Sequence, residues 1–573
     1  MYDLVIKNAR IADGLGNPLV EGDLAVKDGR VAAIGRIRDP AGETVDAKGL
    51  VLAPGAIDVH THYDAQLTWD MTCSPSPALG VTTVVVGNCG FGIAPTPPER
   101  RDTVMKNLSE VEAMSLDALR VGVDWGFESF GEYLDLLTRK SVYPNVGVLA
   151  SHTTMRTAVM GDAGSERPST SEEVRQLVGL FREAMAAGAM GIGSSTNENH
   201  RGFGGIPIAS RMASEDEFRD LVKVMADYRH GLFMATCGHH TGIDFLAELA
   251  RISGKPSIYA PLLHYSNAPE RARGIMAECD AARARGLPVY AQTSCQPVSL
   301  SFNLTSAYIL KTVHPWPASD DLAVLCPLFA DPAFRQAFRD TLAKPDPRRV
   351  FNGRWDLMDV TSVTLPKNAR LEGRSIAEIA AEQGRDPVDV FLDLGLEENL
   401  GTIFTGRILN VEEDRVAELL LNDGVLVSLS DAGAHNTFLC DAAYSMHLYG
   451  RWVRERRLMD LPTAVRKVTS DPADVYGIVD RGRLTKGAHA DMILFDPDTI
   501  AAGKLERHRD MPAGGERLLR RAAGLKGTWV NGVKVFDGEN YVQLARGPGE
   551  VLRKFRDVRP SLAMPGAKQA AAE

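Results

Sequence analysis

The stretch AIDVHTH, residues 56–62, combines an apolar run with two histidines that are separated by one residue. Pro54 and Gly55 precede it, so a turn leads into the apolar run. Side chains alternate between the two faces of a strand, and His60 and His62 therefore share a face and are able to chelate one ion. The stretch predicts a strand that ends at a metal site, and the alternative is a pair of solvated histidines.

Length and composition exclude several classes of protein. The chain has 573 residues, which exceeds the size at which a single hydrophobic core stops growing, so a large domain and a smaller one are expected. A hydrophobic content of 44% with 24% charged residues is ordinary for a soluble globular protein. The net charge of −10 and the lack of a long basic stripe argue against a nucleic-acid partner.

The cysteines and the N-terminal segment predict a cytoplasmic location. The seven cysteines are odd in number and scattered, which is not a disulfide framework. The opening residues, MYDLVIK, have an acidic residue and a strand-like pattern where a signal peptide needs a basic segment and an apolar run. No apolar stretch approaches the roughly 18 to 20 residues that span a bilayer, so we expect no membrane anchor.

The two ends of the chain share a pattern of short strands separated by tight turns. Residues 4–34 contain Asp28-Gly29 between two apolar runs, which is a strong hairpin signal. Residues 490–495 and 528–536 repeat the alternation near the other end. We therefore predict one small β-rich domain that is built from both ends.

In the middle of the chain, apolar strands alternate with helical segments such as 171–187 and 215–228. The predicted strands are 57–62, 81–87, 146–152, 189–195, 232–237, 257–264, 288–294 and 425–431. Eight such strands favour a parallel α/β barrel over an open sheet. The gap after the seventh strand is too long for a loop and predicts an inserted subdomain with helices at 331–342 and 375–384.

These patterns predict four parts of the chain. They are the β-rich domain at 1–53 and 480–559, the barrel at 54–297 and 401–479, the inserted subdomain at 298–400, and a disordered tail at 560–573, which is rich in Ala, Pro and polar residues.

The predicted strands end in residues that bind metals. The active site of such a barrel lies at the C-terminal ends of its strands. These ends supply His60 and His62 after the first strand, Cys89 after the second, Cys237 and His239 after the fifth, His264 after the sixth and Asp431 after the eighth. Imidazole, thiolate and carboxylate are the ligands of zinc and related transition ions. The sequence therefore predicts a zinc site.

Each of these residues also has a purely structural interpretation. Cys89 is of a type usually found as a small buried hydrophobe, although its flanking glycines leave the thiol unshielded at a turn. His264 follows an apolar run and suits a core histidine, and Asp431 suits a helix cap. We favour a metal ligand at Cys89 and at His264, and a general base at Asp431.

Several motifs resemble the amidohydrolase superfamily. They are VKDGRV at 26–31, the segment 54–64, GVTT at 80–83, GNCG at 87–90, and Ser430-Asp431. Within that superfamily the Asn-Cys-Gly turn is similar to the N-acyl-D-amino-acid deacylases, or D-aminoacylases, and the resemblance covers nearly the whole chain. It implies a distorted (β/α)8 TIM barrel, a β-sandwich made from both termini, and hydrolysis of an acyl C–N bond by water activated at one or two zinc ions.

The resemblance also implies which residues form the metal centre, and it implies a homo-oligomer. The implied ligands are His60, His62, a bridging Cys89, a residue after strand five, His264 and Asp431.

The chain departs from the family pattern in two places. The family usually ends strand five with Thr-His-x-Arg, whereas here Thr236 is followed by CGHH at 237–240. Either Cys237 or His239 replaces the usual ligand, and we prefer His239 because two thiolates would lower the Lewis acidity of the metal. The family also places a lysine two residues after the strand-six histidine, where this chain has Ser266, which weakens the case for a simple N-acyl amino acid.

Four residues near the predicted ligands are candidates for substrate contacts. They are His152, Arg156, Tyr265 and His435. A structural salt bridge is an equally good interpretation of Arg156.

Three functions follow from these predictions. The first is a metal-dependent hydrolase of N-acyl amino acids, of D configuration, or of related small amides, with Asp431 as general base and acid. The second is a cyclic-amide hydrolase, which would not need the missing lysine. The third is an inactive member of the fold that serves as a binding protein.

Overall fold

The structure, a computed structural model, describes residues 1–238, 241–344, 346, 349–437 and 441–557. The predicted ligand His239 and the predicted tail at 560–573 lie outside these residues.

The strands are numbered in chain order: Tyr2–Ile11 (β1), Val20–Lys27 (β2), Arg30–Gly35 (β3), Ala41–Asp46 (β4), Val51–Pro54 (β5), Ala56–Asp58 (β6), Val81–Val86 (β7), Asn145–Val148 (β8), Ala150–Ser151 (β9), Ile192–Ser195 (β10), Phe233–Thr236 (β11), Ser257–Ala260 (β12), Val289–Thr293 (β13), Val298–Phe302 (β14), Met358–Ser362 (β15), Ile403–Leu409 (β16), Val425–Val427 (β17), Met492–Phe495 (β18), Ala501–His508 (β19), Arg517–Ala523 (β20), Leu525–Val530 (β21) and Val533–Phe536 (β22).

The helices are Arg101–Val111 (α1), Leu116–Gly122 (α2), Phe130–Lys140 (α3), His152–Met160 (α4), Ser171–Ala187 (α5), Glu215–Ala226 (α6), Ile243–Ser253 (α7), Arg271–Ala284 (α8), Leu322–Ala330 (α9), Pro332–Leu342 (α10), Ile376–Gln383 (α11), Pro387–Glu397 (α12), Glu413–Leu421 (α13), Tyr444–His447 (α14), which continues as a π-helix at Leu448–Glu455, Leu461–Val468 (α15) and Ser470–Tyr476 (α16).

The parallel strands pair in the order in which they occur along the chain. One sheet has the order β6-β7-β8 and a second the order β9-β10-β11-β12-β13-β17, while β8 and β9 are separated only by Leu149. Backbone hydrogen bonds join the segment after β6 to the segment after β17: Val59 N–H donates to the Ser428 carbonyl at 3.2 Å, and His62 N–H to the Ala432 carbonyl at 2.7 Å. The first and last of these strands are therefore neighbours beyond their C-terminal ends.

Several parallel strands end earlier than the sequence predicts. The predicted strand 57–62 stops at Asp58, so His60 and His62 lie beyond its end. The predicted strand 257–264 stops at Ala260, because Pro261 has no N–H to continue the ladder. The metal-binding candidates therefore lie on loops that follow the strands.

Strands from both ends of the chain form one eight-stranded sheet. Its order is β22-β21-β18-β5-β1-β2-β3, with β4 paired to β1. Antiparallel pairing of β18 with β5 sets Leu494 opposite Leu52. Leu52, Leu494 and Trp529 belong to one buried cluster of this sheet, so burial of apolar side chains from both ends stabilises it.

The helix predicted at 171–187 has the same bounds in the structure, and its end signals explain why. The Thr170 hydroxyl accepts from the Glu173 N–H and the Glu173 carboxylate accepts from the Thr170 N–H, which is a capping box. Gly188, with φ +113°, ends the helix. Its buried face, which includes Leu177 and Phe181, packs into the main core.

The segment 298–400 has a hydrophobic cluster of its own. The helices predicted at 331–342 and 375–384 correspond to α10 and α11. The ring of Trp316 lies 5.0 Å from Phe329 and 5.4 Å from Phe338, centroid to centroid, so aromatic packing organises this part.

The described cysteines Cys73, Cys89, Cys237, Cys279, Cys295 and Cys326 are free thiols. Among the helices of the described residues, none is long and apolar enough to cross a membrane. The cytoplasmic location stays a prediction.

A buried ion pair beside the terminal sheet also contacts one of the parallel strands. Arg481 and Asp491 are 1% and 2% exposed, and the Arg481 Nη1 to Asp491 Oδ2 distance is 2.5 Å. Asn145 of β8 donates to the same carboxylate at 3.1 Å. The terminal part of the chain and the parallel strand β8 therefore share a buried polar contact.

Replacement of Arg481 by Met leaves Asp491 buried without its cation, and we expect a loss of about 3–5 kcal/mol of stability. Scanning calorimetry measures this as a lower melting temperature. The control is Arg175→Met, which breaks an exposed pair with Glu172 and should leave the melting temperature unchanged. Equal melting temperatures for wild type and Arg481→Met would contradict the assignment.

Candidate metal centre

Three of the predicted ligands form a compact buried cluster. His60, His62 and Cys89 each direct one ligand atom to within 4.8 Å of the others. The Cys89 Sγ lies 3.3 Å from the His60 Nε2. His60 and His62 lie in the segment after β6, and Cys89 lies in the turn after β7. Because β6 and β7 are neighbouring parallel strands, all three side chains lie at the same end of the sheet.

Asp431 joins this cluster from the segment after β17. Its Oδ1 lies 3.1 Å from the His62 Nε2 and 3.8 Å from the His60 Nε2. Asp431 and Cys89 adopt φ of +57° and +54°, which is unfavourable for residues with a Cβ. The Asp431 N–H donates to the His60 carbonyl at 3.0 Å, which holds Asp431 in this conformation.

The two histidine rings direct the same nitrogen toward the cluster. The His60 Nδ1 lies 2.8 Å from the Gln292 Oε1, and the Gln292 Nε2 donates to the Tyr476 hydroxyl at 2.6 Å. The His62 Nδ1 lies 3.3 Å from the Glu112 Oε1 and, among the described residues, has no hydrogen-bond partner. The Nε2 atoms of both rings face Cys89 and Asp431.

The electrostatics of the cluster suit a cation. Burial raises the pKa of the Cys89 thiol, but His60 and His62 more than offset this and lower it to about 6. The same histidines hold the pKa of Asp431 well below its usual range in spite of burial. A thiolate, a carboxylate and two imidazoles are thus gathered in a buried site, and this donor set fits zinc or a similar divalent ion.

Cys237 does not join the cluster. Its Sγ donates to the Ala235 carbonyl at 3.6 Å, and burial raises the pKa of its thiol to about 12. Thr236 occupies the inward position instead, and its hydroxyl donates to the Cys89 Sγ at 3.0 Å. These contacts favour a structural role for Cys237, and the other candidate at this strand end, His239, lies outside the described residues.

His264 is buried, with a carboxylate behind its ring. The His264 Nδ1 lies 3.0 Å from the Glu412 Oε2, while Ser266 donates to the Glu412 Oε1 at 2.7 Å. Among the described residues, neither ring nitrogen of the buried His264 has a hydrogen-bond partner. A buried nitrogen without a partner is costly, so the ring is chemically suited to bind a ligand.

The four predicted substrate-binding residues have different surroundings. His152 and Arg156 are fully buried and both contact Glu217, at 2.7 Å and 2.5 Å. These contacts favour the structural interpretation of the pair. The His435 Nε2 lies 3.8 Å from the Asp431 Oδ2, beside the cluster, and the Arg271 guanidinium lies 5.0 Å from the centre of the Tyr265 ring.

Three residues of this region are not among the residues predicted from the sequence. Glu112 directly follows α1 and belongs to no motif, so the sequence gives no signal for it. Gln292 lies near the C-terminal end of β13, so its position as a polar residue at a strand end is a signal for it. His200 follows β10, and its Nδ1 lies 2.8 Å from the Ser195 Oγ. Burial, aided by His62, lowers the pKa of His200 to about 3, so the ring is neutral.

The profile of the amidohydrolase family matches residues 43–536, so the chain belongs to that family. The resemblance predicted from the motifs is confirmed.

The matching relatives include enzymes with assigned reactions. The D-aminoacylase of Alcaligenes xylosoxydans xylosoxydans is 30% identical over 553 residues, which are 94% of this chain and 96% of the relative. The N-acyl-D-aspartate deacylase of the same organism is 29% identical over 568 residues, 96% of this chain and 95% of the relative.

A solved structure shows similarity at the level of the fold as well. It is N-acyl-D-glutamate deacylase from Bordetella bronchiseptica, complexed with zinc and a phosphonate inhibitor that mimics the tetrahedral intermediate. The match has a TM-score of 0.63 and 26% identity, and it covers 96% of this chain and all (100%) of the other.

The two cysteines near the site should respond differently to substitution. We expect Cys89→Ala to lose bound zinc, because its Sγ lies in the cluster, and Cys237→Ala to keep it, because its thiol contacts a backbone carbonyl. Zinc per chain, measured by mass spectrometry after dialysis, tests this. Zinc loss in Cys237→Ala alone would contradict the arrangement.

Proposed function

We propose that the chain is a metal-dependent hydrolase that cleaves the amide C–N bond of N-acyl amino acids of D configuration. The cluster of the buried His60, His62 and Cys89 with the partly exposed Asp431 supports this most strongly. Family membership and the named relatives support the reaction class. The inactive alternative gains no support from this cluster, because these four donors converge.

A divalent metal ion would be held by the atoms that converge in the cluster, namely the Nε2 atoms of His60 and His62, the Cys89 Sγ and the Asp431 carboxylate. A bound zinc ion polarises a carbonyl group and lowers the pKa of water toward neutrality. Three of these donors and a water would complete one tetrahedral ion, as in catalytic zinc sites. His264, with its unpartnered Nε2, is the candidate ligand for a second ion.

Asp431 is the proposed general base and acid. Its carboxylate is ionised at neutral pH, because the neighbouring histidines hold its pKa well below the usual range. It accepts a proton from the attacking water and returns that proton to the leaving nitrogen. Such proton transfer contributes about 10²- to 10⁴-fold to the rate.

The fold that carries this site is proposed to be a distorted (β/α)8 barrel. The sequential pairing from β6 to β17 and the hydrogen bonds between the segments after them support closure of the barrel. The terminal sheet supports a β-sandwich at 1–53 and 480–559, and the separate cluster supports an insertion at 298–400. A homo-oligomer remains an expectation from family resemblance.

A cyclic amide is a second candidate substrate. Where the family has a lysine that helps to hold the substrate carboxylate, this chain has Ser266, whose hydroxyl donates to Glu412. A ring amide without a free carboxylate does not require that cation.

A substrate panel separates the two enzymes. Zinc-loaded protein should release amine from N-acetyl-D-amino acids in preference to the L-enantiomers, and a strong chelator should abolish the activity. Release is measured by a primary-amine assay and ring opening of cyclic amides by chromatography. Turnover confined to cyclic amides would select the second candidate, and no turnover on either class would refute the proposal.

Replacement of Asp431 by Asn keeps the shape of the side chain and removes its proton-accepting charge. We expect zinc to remain bound through the other three ligands and kcat to fall by at least about 10²-fold. Metal content and kcat are measured on the same preparation. A variant that holds zinc and retains appreciable activity would refute the role of Asp431.

A further inference from the structure

We infer that Gln292, held in turn by Tyr476, is a positioning residue that fixes the ring of His60 with its Nε2 facing the cluster. This inference rests on the proposed metal-dependent function and assigns to it two residues from outside the ligand set.

Three buried side chains form a short chain of hydrogen bonds behind the cluster. His60, Gln292 and Tyr476 are 2%, 0% and 2% exposed. The His60 Nδ1 lies 2.8 Å from the Gln292 Oε1, and the Gln292 Nε2 donates to the Tyr476 hydroxyl at 2.6 Å. The chain of bonds therefore runs from the end of α16 through β13 to His60, whose Nε2 lies 3.3 Å from the Cys89 Sγ.

The amide of Gln292 determines which nitrogen of His60 is available to a metal ion. An amide oxygen only accepts hydrogen bonds, so the ring nitrogen that faces it, Nδ1, carries the hydrogen. The other nitrogen, Nε2, then directs its lone pair toward the cluster, as a metal-binding histidine requires. An amide turned by 180° would donate to Nδ1 instead and would leave the hydrogen on the inner nitrogen.

Tyr476 supports the amide in the orientation that suits His60. With its oxygen on the histidine, Gln292 directs its N–H groups away from the ring, and a buried N–H without an acceptor is costly. The Tyr476 hydroxyl supplies that acceptor. Phenylalanine at this position would remove the acceptor and with it the preference of the amide for this orientation.

The backbone of Gln292 is fixed by the parallel sheet. Its strand β13 lies between β12 and β17, and Gln292 pairs with Leu426 of β17. The Leu262 N–H, just after β12, donates to the Gln292 carbonyl at 2.7 Å. A residue of a paired central strand thus orients His60, which lies on a loop.

His62 differs from His60 in this respect. Among the described residues, the His62 Nδ1 has no hydrogen-bond partner. A change at Gln292 should therefore act on metal binding through His60.

The test is zinc affinity of metal-free protein, measured by competition with a chromophoric chelator. We expect Gln292→Met, which keeps the length of the side chain and loses both polar atoms, to bind zinc about 10- to 100-fold more weakly than wild type. Tyr476→Phe should show a smaller loss, because it removes only the oxygen that holds the amide. Tyr449→Phe is the matched control: Tyr449 is also buried, but its hydroxyl has no hydrogen-bond partner among the described residues, so zinc affinity should equal that of wild type.

A double variant separates positioning from a general loss of packing. If Tyr476 acts through Gln292, the combination of Gln292→Met with Tyr476→Phe should bind zinc as weakly as Gln292→Met alone, because no amide remains for the hydroxyl to hold. Saturating cobalt(II) provides a second readout, since its visible absorption bands report the geometry of the ligands. The bands should shift in Gln292→Met and stay unchanged in Tyr449→Phe.

Zinc affinity of Gln292→Met within twofold of wild type, or an equal loss in Tyr449→Phe, would overturn the inference. Additive losses in the double variant would overturn the role of Tyr476. If Gln292→Met does not fold, the comparison of Tyr476→Phe with Tyr449→Phe decides the question by the same measurement. Wild-type protein that binds no zinc would instead overturn the proposed function.

Discussion

The orientation of two buried imidazole rings is the constraint on which the rest of the site depends. A histidine offers two nitrogens, and the group bound to one determines what the other can do. Here Gln292 contacts the His60 Nδ1 at 2.8 Å, and the Nε2 atoms of both rings face Cys89 and Asp431. Without the Gln292 contact the His60 ring could turn, and the donors would no longer converge.

Backbone contacts between distant segments hold this arrangement together. The segments after β6 and β17 are joined by hydrogen bonds that involve His60, His62 and Asp431 themselves. Gly433, with φ +93°, lets the Asp431 loop approach so closely that an added Cβ would lie 2.7 Å from the His62 carbonyl carbon. The cost of left-handed conformations at Cys89 and Asp431 is thus offset by tertiary contacts that also position their side chains.

The sequence predicts the strands well because buried parallel strands are continuous apolar runs. It predicts some of their ends less well: Pro261 marks the stop of one strand, whereas the predicted strand 57–62 ends at Asp58, where backbone bonds to the segment after β17 begin. The orientation of Cys237 follows from side-chain alternation: Thr236 faces Cys89, so the next residue faces away. Glu112 was unpredictable, because its contact with His62 spans separate parts of the fold and no local pattern encodes it.

The surroundings of Ser266 bear on the choice of substrate. In place of a lysine, the chain has a hydroxyl that donates to Glu412, and this carboxylate also faces His264. A substrate carboxylate at this position would meet a like charge, which is unfavourable. The Arg354 guanidinium lies 3.7 Å from the Glu412 Oε1 and partly compensates for that charge. Arg354 belongs to the segment 298–400, so this segment contributes to the electrostatics beside His264.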